Sequence, residues 1–225
     1  MWCSARRSDG RRKRYLRPGT ASLTSLLVLL CLTRSAAAAG TFVVDGSTSN
    51  LRVHVGKTGL GSFAGHEHDA VTNGVSGEVI ADFDDLSGSS VDISVDAQSL
   101  KIADRDESPE DVQKVQQTML GPQVLDVARF PAVRFRSRIV RADRIQPGVY
   151  AVAVAGEFSL HGVTKAITAP VRLETKGDTL TVTGKLVVKQ TDFGIQPISA
   201  GGGLVNVEDD VTITFQIVAR LRAPP

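Results

Sequence analysis

Cysteine, tryptophan and tyrosine are nearly missing from this chain. Among 225 residues there are two cysteines, one tryptophan and two tyrosines. Cys3, Cys31 and Trp2 all fall within the first 39 residues. If that stretch is an address removed on export, the protein that remains has no disulfide, no thiolate nucleophile and no cysteine-ligated metal. It must hold together by burial alone, which about 185 residues can do as one domain. Long apolar runs are scarce as well. The longest, Ala21 to Leu32, falls short of the roughly 20 residues that a membrane-spanning helix needs.

What surrounds that run is an export pattern. Arg6, Arg7, Arg11, Arg12, Lys13, Arg14 and Arg17 precede it, and Ala36-Ala37-Ala38-Ala39 follow with the small side chains a signal peptidase requires. Residues 1–39 are therefore expected to be a cleavable signal, cut near Ala39, and 40–225 a single domain. Arg11-Arg12 leaves twin-arginine export open beside the general pathway. Of the chain's 26 basic and 24 acidic residues, eight and one lie before residue 40, leaving 18 against 23 and a net charge of −5. An acidic domain of this kind has no electrostatic footprint for nucleic acid or for an anionic membrane surface.

The rest of the sequence alternates. In "VDISVDA", Val91, Ile93, Val95 and Ala97 share one face; in "VTITFQIVAR", Val211, Ile213, Phe215, Ile217 and Ala219 do the same. "VRFRSRIV" sets Val133, Phe135 and Ile139 against Arg134, Arg136 and Arg138, which read as a solvated face. Strands are expected near 41–57, 70–83, 89–102, 132–143, 148–160, 166–174, 179–189 and 206–220. One wet and one dry face per strand means an antiparallel sheet, and eight such strands with short connections close into a barrel without edges. The expected fold is all-β, an eight-stranded antiparallel barrel with one short helix between strands 3 and 4. Ser108 caps that helix, Pro109 takes its first turn, Glu110 and Asp111 suit its positive end, and Gly121-Pro122 stops it. Val112, Val115, Met119 and Leu120 give it one apolar face, fit for a plug over a barrel end or for a lid.

Alternation points inward at Val53, Val55, Val95, Phe135, Val152, Val154, Phe158, Val182, Leu186, Phe193, Ile213 and Phe215. A barrel of this size either fills its interior with side chains or encloses one small ligand, and alternation does not separate the two. Polar residues that could rim an opening are His66 and His68 in "GSFAGHEHDA", His161, and Arg105 within the charged cluster Asp104-Arg105-Asp106. His66 and His68 project to one side of an extended chain, so three readings stand: a polar mouth, a structural loop, or a metal site completed by His161, His54 or Asp69. No serine or cysteine stands in a nucleophile context beside them, and no enzyme activity is expected. Gly201-Gly202-Gly203 lacks the capped helix that a phosphate cradle needs.

"LHGVTK" at 160–165, "RFPAVRFRS" at 129–137, Arg105-Asp106, "TDFGI" at 191–195 and "NVEDDVTITFQI" at 206–217 resemble the YceI family of polyisoprenoid-binding proteins. The resemblance implies a lipocalin-like barrel exported to the periplasm, holding a long isoprenoid or similar amphiphilic lipid and needing no cofactor. A homodimer is compatible with it. Ala166 stands where the family usually has proline, and "SFAGHEHD" differs from its commoner opening loop, a histidine-bearing variant. A dry tunnel suits such a ligand, because each methylene taken from water is worth about 0.8 kcal/mol.

Overall fold

The protein is described from a computed structural model, which covers residues 39–59, 67–104, 107–200 and 205–223. His66, Arg105, Asp106 and Gly201-Gly202-Gly203 lie outside the described residues. Twelve strands follow in order: β1 (Gly40–Val44), β2 (Asn50–Thr58), β3 (His68–Thr72), β4 (Val75–Ala81), β5 (Ser90–Asp96), β6 (Lys101–Ile102), β7 (Ala132–Gln146), β8 (Val149–Leu160), β9 (Val163–Lys176), β10 (Thr179–Lys189), β11 (Ser199–Ala200) and β12 (Val205–Leu221). Among the described residues a single α-helix, α1 (Pro109–Leu120), stands between β6 and β7.

Pairing joins these pieces into eight staves. β1 with β2, β3 with β4, and β5 with β6 are each two halves of one stave; β7, β8, β9, β10 and β12 are the other five. Neighbours pair antiparallel around the ring, and β12 returns to both β1 and β2, closing it. The helix falls between the third and fourth staves, where the sequence places it.

The three broken staves break in a row. The interruptions at 45–49, 73–74 and 97–100 lie side by side: Asp96 donates its N–H to the Gly74 carbonyl at 2.9 Å, and Thr72 and Ser99 share a hydroxyl–hydroxyl bond. Ser49 and Thr72 are buried there, each with a partner. Ser49 Oγ takes the Val218 N–H at 3.0 Å and Thr72 Oγ1 takes that of Gly74 at 2.8 Å. Polar side chains at such corners satisfy backbone groups that a bent ladder leaves open.

One interior face differs from strict alternation. Arg138 is an extra residue in β7, since Ser137 sits opposite Gly156 while Ile139 sits opposite Ala155. A bulge of this kind places two residues against one and flips the faces beyond it. Ile139, expected inside with Val133 and Phe135, is 52% exposed, and Val140 is buried instead. Gly156 is required opposite, because a Cβ there would collide with the Arg136 carbonyl oxygen and the Phe135 ring.

The barrel has two unlike ends. One carries the β4–β5 connection and the β7–β8 and β9–β10 turns; there Phe42 meets Phe83 edge-on at 5.8 Å and Phe83 stacks on Tyr150 at 6.3 Å. These rings, Leu86 and the wholly buried Leu180 belong to the largest core cluster. The other end carries α1, the β8–β9 turn and the segment 190–200. Among the described residues no helix is long and apolar enough to cross a membrane.

Candidate functional site

Inside the ring is a cavity of about 500 Å³, within the roughly 300–1,000 Å³ typical of small-ligand pockets. It runs from Leu86, Ser89, Leu173 and Leu180 near the aromatic end to Lys114, Val115, Thr118 and Met119 of α1, with Val124 and Leu125 just beyond the helix. Its wall is almost wholly apolar. Val53, Val55, Val95, Phe135, Val152, Val154, Phe158, Val182, Leu186, Ile213 and Phe215 all stand on it, because they occupy the inward parity of their strands.

Phe193 is placed differently. It is 1% exposed but sits behind the cavity wall, in a single 3-10 turn over Thr191–Phe193. The reason is a seam. β9 and β10 pair only from Lys176/Thr179 to Val171/Gly184; past Pro170 the two strands separate. An outer groove of about 380 Å³ lies over the gap, lined by Lys165, Ile167, Val187, Val188 and Phe193 among others. Phe193 fills the seam, edge-on to Phe158 at 5.5 Å. β12 holds the turn in place: Asp209 accepts the Thr191 N–H at 2.9 Å and its hydroxyl at 2.8 Å. Those two bonds keep the Asp209 carboxyl below its usual range.

The helix is docked rather than buried. Val112, Val115, Met119 and Leu120 form its inner face and are half-buried, and none of its residues is fully buried. Ser108 caps it through the Asp111 N–H at 3.1 Å. What ties it to the barrel is Gln116, which donates from Nε2 to the Leu100 carbonyl and accepts the Ile102 N–H at Oε1, both at 2.8 Å. A polar residue on the inner face thus does what another strand would do for the β6 edge. The sequence offered no sign of it beyond its i+4 spacing from Val112.

The histidines separate. His68 opens β3 opposite Val55, so it faces inward and stands on the cavity wall at the helix end. Its Nδ1 lies 2.7 Å from Asp104 Oδ2, and Asp104 Oδ1 accepts the Asp69 N–H at 2.8 Å. The Asp104 side chain is only 7% exposed. His54, one register step away, points outward, its Nδ1 3.2 Å from Asp69 Oδ1 and its Nε2 3.8 Å from Glu67 Oε2. Arg52 meets the other Asp69 oxygen at 2.9 Å.

His161 is elsewhere. It shares the β8–β9 turn with Gly162, both at positive φ (52° and 76°), the backbone of a tight two-residue hairpin. Its ring packs edge-on to Phe130 at 5.0 Å, and its Nδ1–H donates to the Phe193 carbonyl at 3.2 Å. A Cβ on Gly162 would strike Phe130, so "LHGVTK" and "RFPAVRFRS" are spaced to build one contact. The eight-stave ring sets this turn on the wall opposite β3, which keeps His161 apart from His68. Among the described residues no group of three or more His, Cys, Asp or Glu side chains is arranged to hold a metal ion.

The YceI-like domain family matches residues 42–219 of this chain. Among solved structures, BcnA of Burkholderia cenocepacia is similar at 20% identity, over 78% of this chain and 98% of its own, with a TM-score of 0.59. A polyisoprenoid binding domain from Saccharophagus degradans, implicated in plant cell wall breakdown, is similar at 15% identity over 80% and 98%, with a TM-score of 0.57. At such identities the likeness speaks for the fold. No curated protein sequence matches.

Proposed function

Because this chain belongs to the YceI-like family, we propose that it is an exported, non-catalytic carrier that encloses an isoprenoid or similar long-chain lipid within its barrel. The cavity carries this reading: an apolar chamber, sealed by aromatic rings at one end and covered by a half-buried helix at the other. Such a space suits a narrow apolar chain. About ten carbons moved out of water supply about 8 kcal/mol, a micromolar complex before the costs of association are subtracted. Affinity follows from the wall; selection falls to the few polar groups at the helix end, with His68 foremost; His66 and Arg105, candidates from the sequence, lie outside the described residues.

The basic and apolar pattern of residues 1–39 supports export, to the periplasm or beyond, with cleavage near Ala39. An aqueous compartment is where an oily chain needs a container. Native mass spectrometry of the purified protein tests the reading. A lipid-sized excess mass that solvent extraction removes and added lipid restores is the expected result. A barrel that carries none and takes up none would remove the proposal.

A further inference from the structure

Among the polar groups on the chamber wall, two with unused hydrogen-bonding capacity stand at its opposite ends. One is His68 at the helix end, whose Nδ1 is taken by Asp104 and whose Nε2 has no partner. The other is Ser89 near the closed end, whose hydroxyl is buried without one. Building on the carrier reading above, we infer that the cargo is a lipid alcohol, its hydroxyl hydrogen-bonded to His68 Nε2 and its chain running toward Leu180.

The chemistry of the pair selects the head group. Asp104 holds the Nδ1 proton, so a neutral imidazole offers a lone pair at Nε2 and an imidazolium offers an N–H. A hydroxyl satisfies either, since it both donates and accepts. A carbonyl or a diphosphate only accepts, and serves one state alone. The diphosphate is opposed further by its surroundings. Asp104, Asp69 and Glu67 lie at this corner, while among the described residues two cations beside it are already paired, Arg52 with Asp69 at 2.9 Å and Lys114 with Glu110 and Asp111 at 3.3 Å each. Arg134 borders the chamber as well, but it alternates with the inward Val133 and Phe135 and is exposed, so its charge is met by solvent. A multiply charged head beside a largely buried carboxylate is repelled at a low effective dielectric. A hydroxyl is not, and it relieves an otherwise unpaired ring nitrogen.

Farnesol, farnesyl methyl ether and farnesyl diphosphate share one chain and differ only at the head. Titrated against the purified protein by displacement of a fluorescent apolar dye, farnesol is expected to bind roughly three- to tenfold tighter than the ether, and the diphosphate weakest. His68→Phe should erase the gap between alcohol and ether while the chain still binds. His68→Gln, which both donates and accepts, should keep part of it. A diphosphate that matches or exceeds farnesol overturns the inference, as does a gap that survives His68→Phe or is erased instead by Ser89→Ala. If all three bind equally, this inference alone falls; if none binds, the carrier reading falls with it.

Discussion

At the aromatic end Leu180 is wholly buried and three rings lie in contact, whereas at the helix end no residue of α1 is fully buried and two glutamine hydrogen bonds tie the cover to the wall. The same chamber is therefore closed in two ways. Burial that excludes water scales with apolar area and sets stability. A half-buried cover held by local polar contacts opens at far smaller free energy, as expected of elements that admit ligands. One end holds the barrel together; on the carrier reading proposed above, the other is where a ligand would enter.

The largest effect is expected where the packing is densest. Leu180→Ala opens a hole beside an existing cavity that the surrounding staves cannot collapse to fill, and should destabilise the protein by about 3 kcal/mol, within the range for such truncations. Met119→Ala, from the half-buried face of α1, should lose less than about 1 kcal/mol by the same area reasoning. Urea unfolding of both variants measures the contrast. Equal losses would mean that the helix is as integral as the aromatic end, and the division between them would fail.

A smaller effect separates anchoring from packing. Gln116→Ala leaves the Leu100 carbonyl and the Ile102 N–H without their partner, which should lower stability by about 1–2 kcal/mol. The sharper readout is local. Amide exchange at Ile102 should accelerate well beyond that of Val152 or Leu180, and bound lipid should leave faster. Uniform acceleration across the barrel would show that the cover does not open on its own.

The division between the ends was only partly visible in the sequence. Period-two alternation located the staves, and all its inward candidates but Phe193 stand on the cavity wall, because a strand in a one-sided sheet has no other way to bury its apolar side chains. It failed at Ile139, since a bulge inserts one residue through hydrogen bonding that no apolar pattern records. It failed at Phe193, whose position depends on β9 and β10 parting next to Pro170, a tertiary event. The helix was legible from Ser108, Pro109 and its acids, yet Gln116 was not, because a polar residue on an inner face has no periodic signature. Asp104 reads in sequence as part of an ion-paired cluster with its neighbours; in the fold it turns to His68, 36 residues away.

The smallest effect concerns the row of corners between the two ends. At the first of them Asp45 accepts the Ser47 hydroxyl at 2.6 Å and the Arg220 Nε–H at 3.0 Å. Ser47 first and Arg220 second hold its carboxyl down to about 2, from an ordinary 3.8. A carboxyl depressed by folding stabilises the folded state above its unfolded value, and that contribution drains away as pH falls through the folded one. Wild type should therefore exceed Asp45→Asn in urea midpoint above about pH 4, and the gap should narrow between pH 4 and 2. Salt should shrink it at every pH, because the pair is accessible to solvent. A gap that stays constant from pH 4 to 2 would assign the corner to its backbone bonds, Asp45 N–H to the Val218 carbonyl and Ser49 N–H to the Asp45 carbonyl, and β1 and β2 would be joined by chain geometry without help from charge.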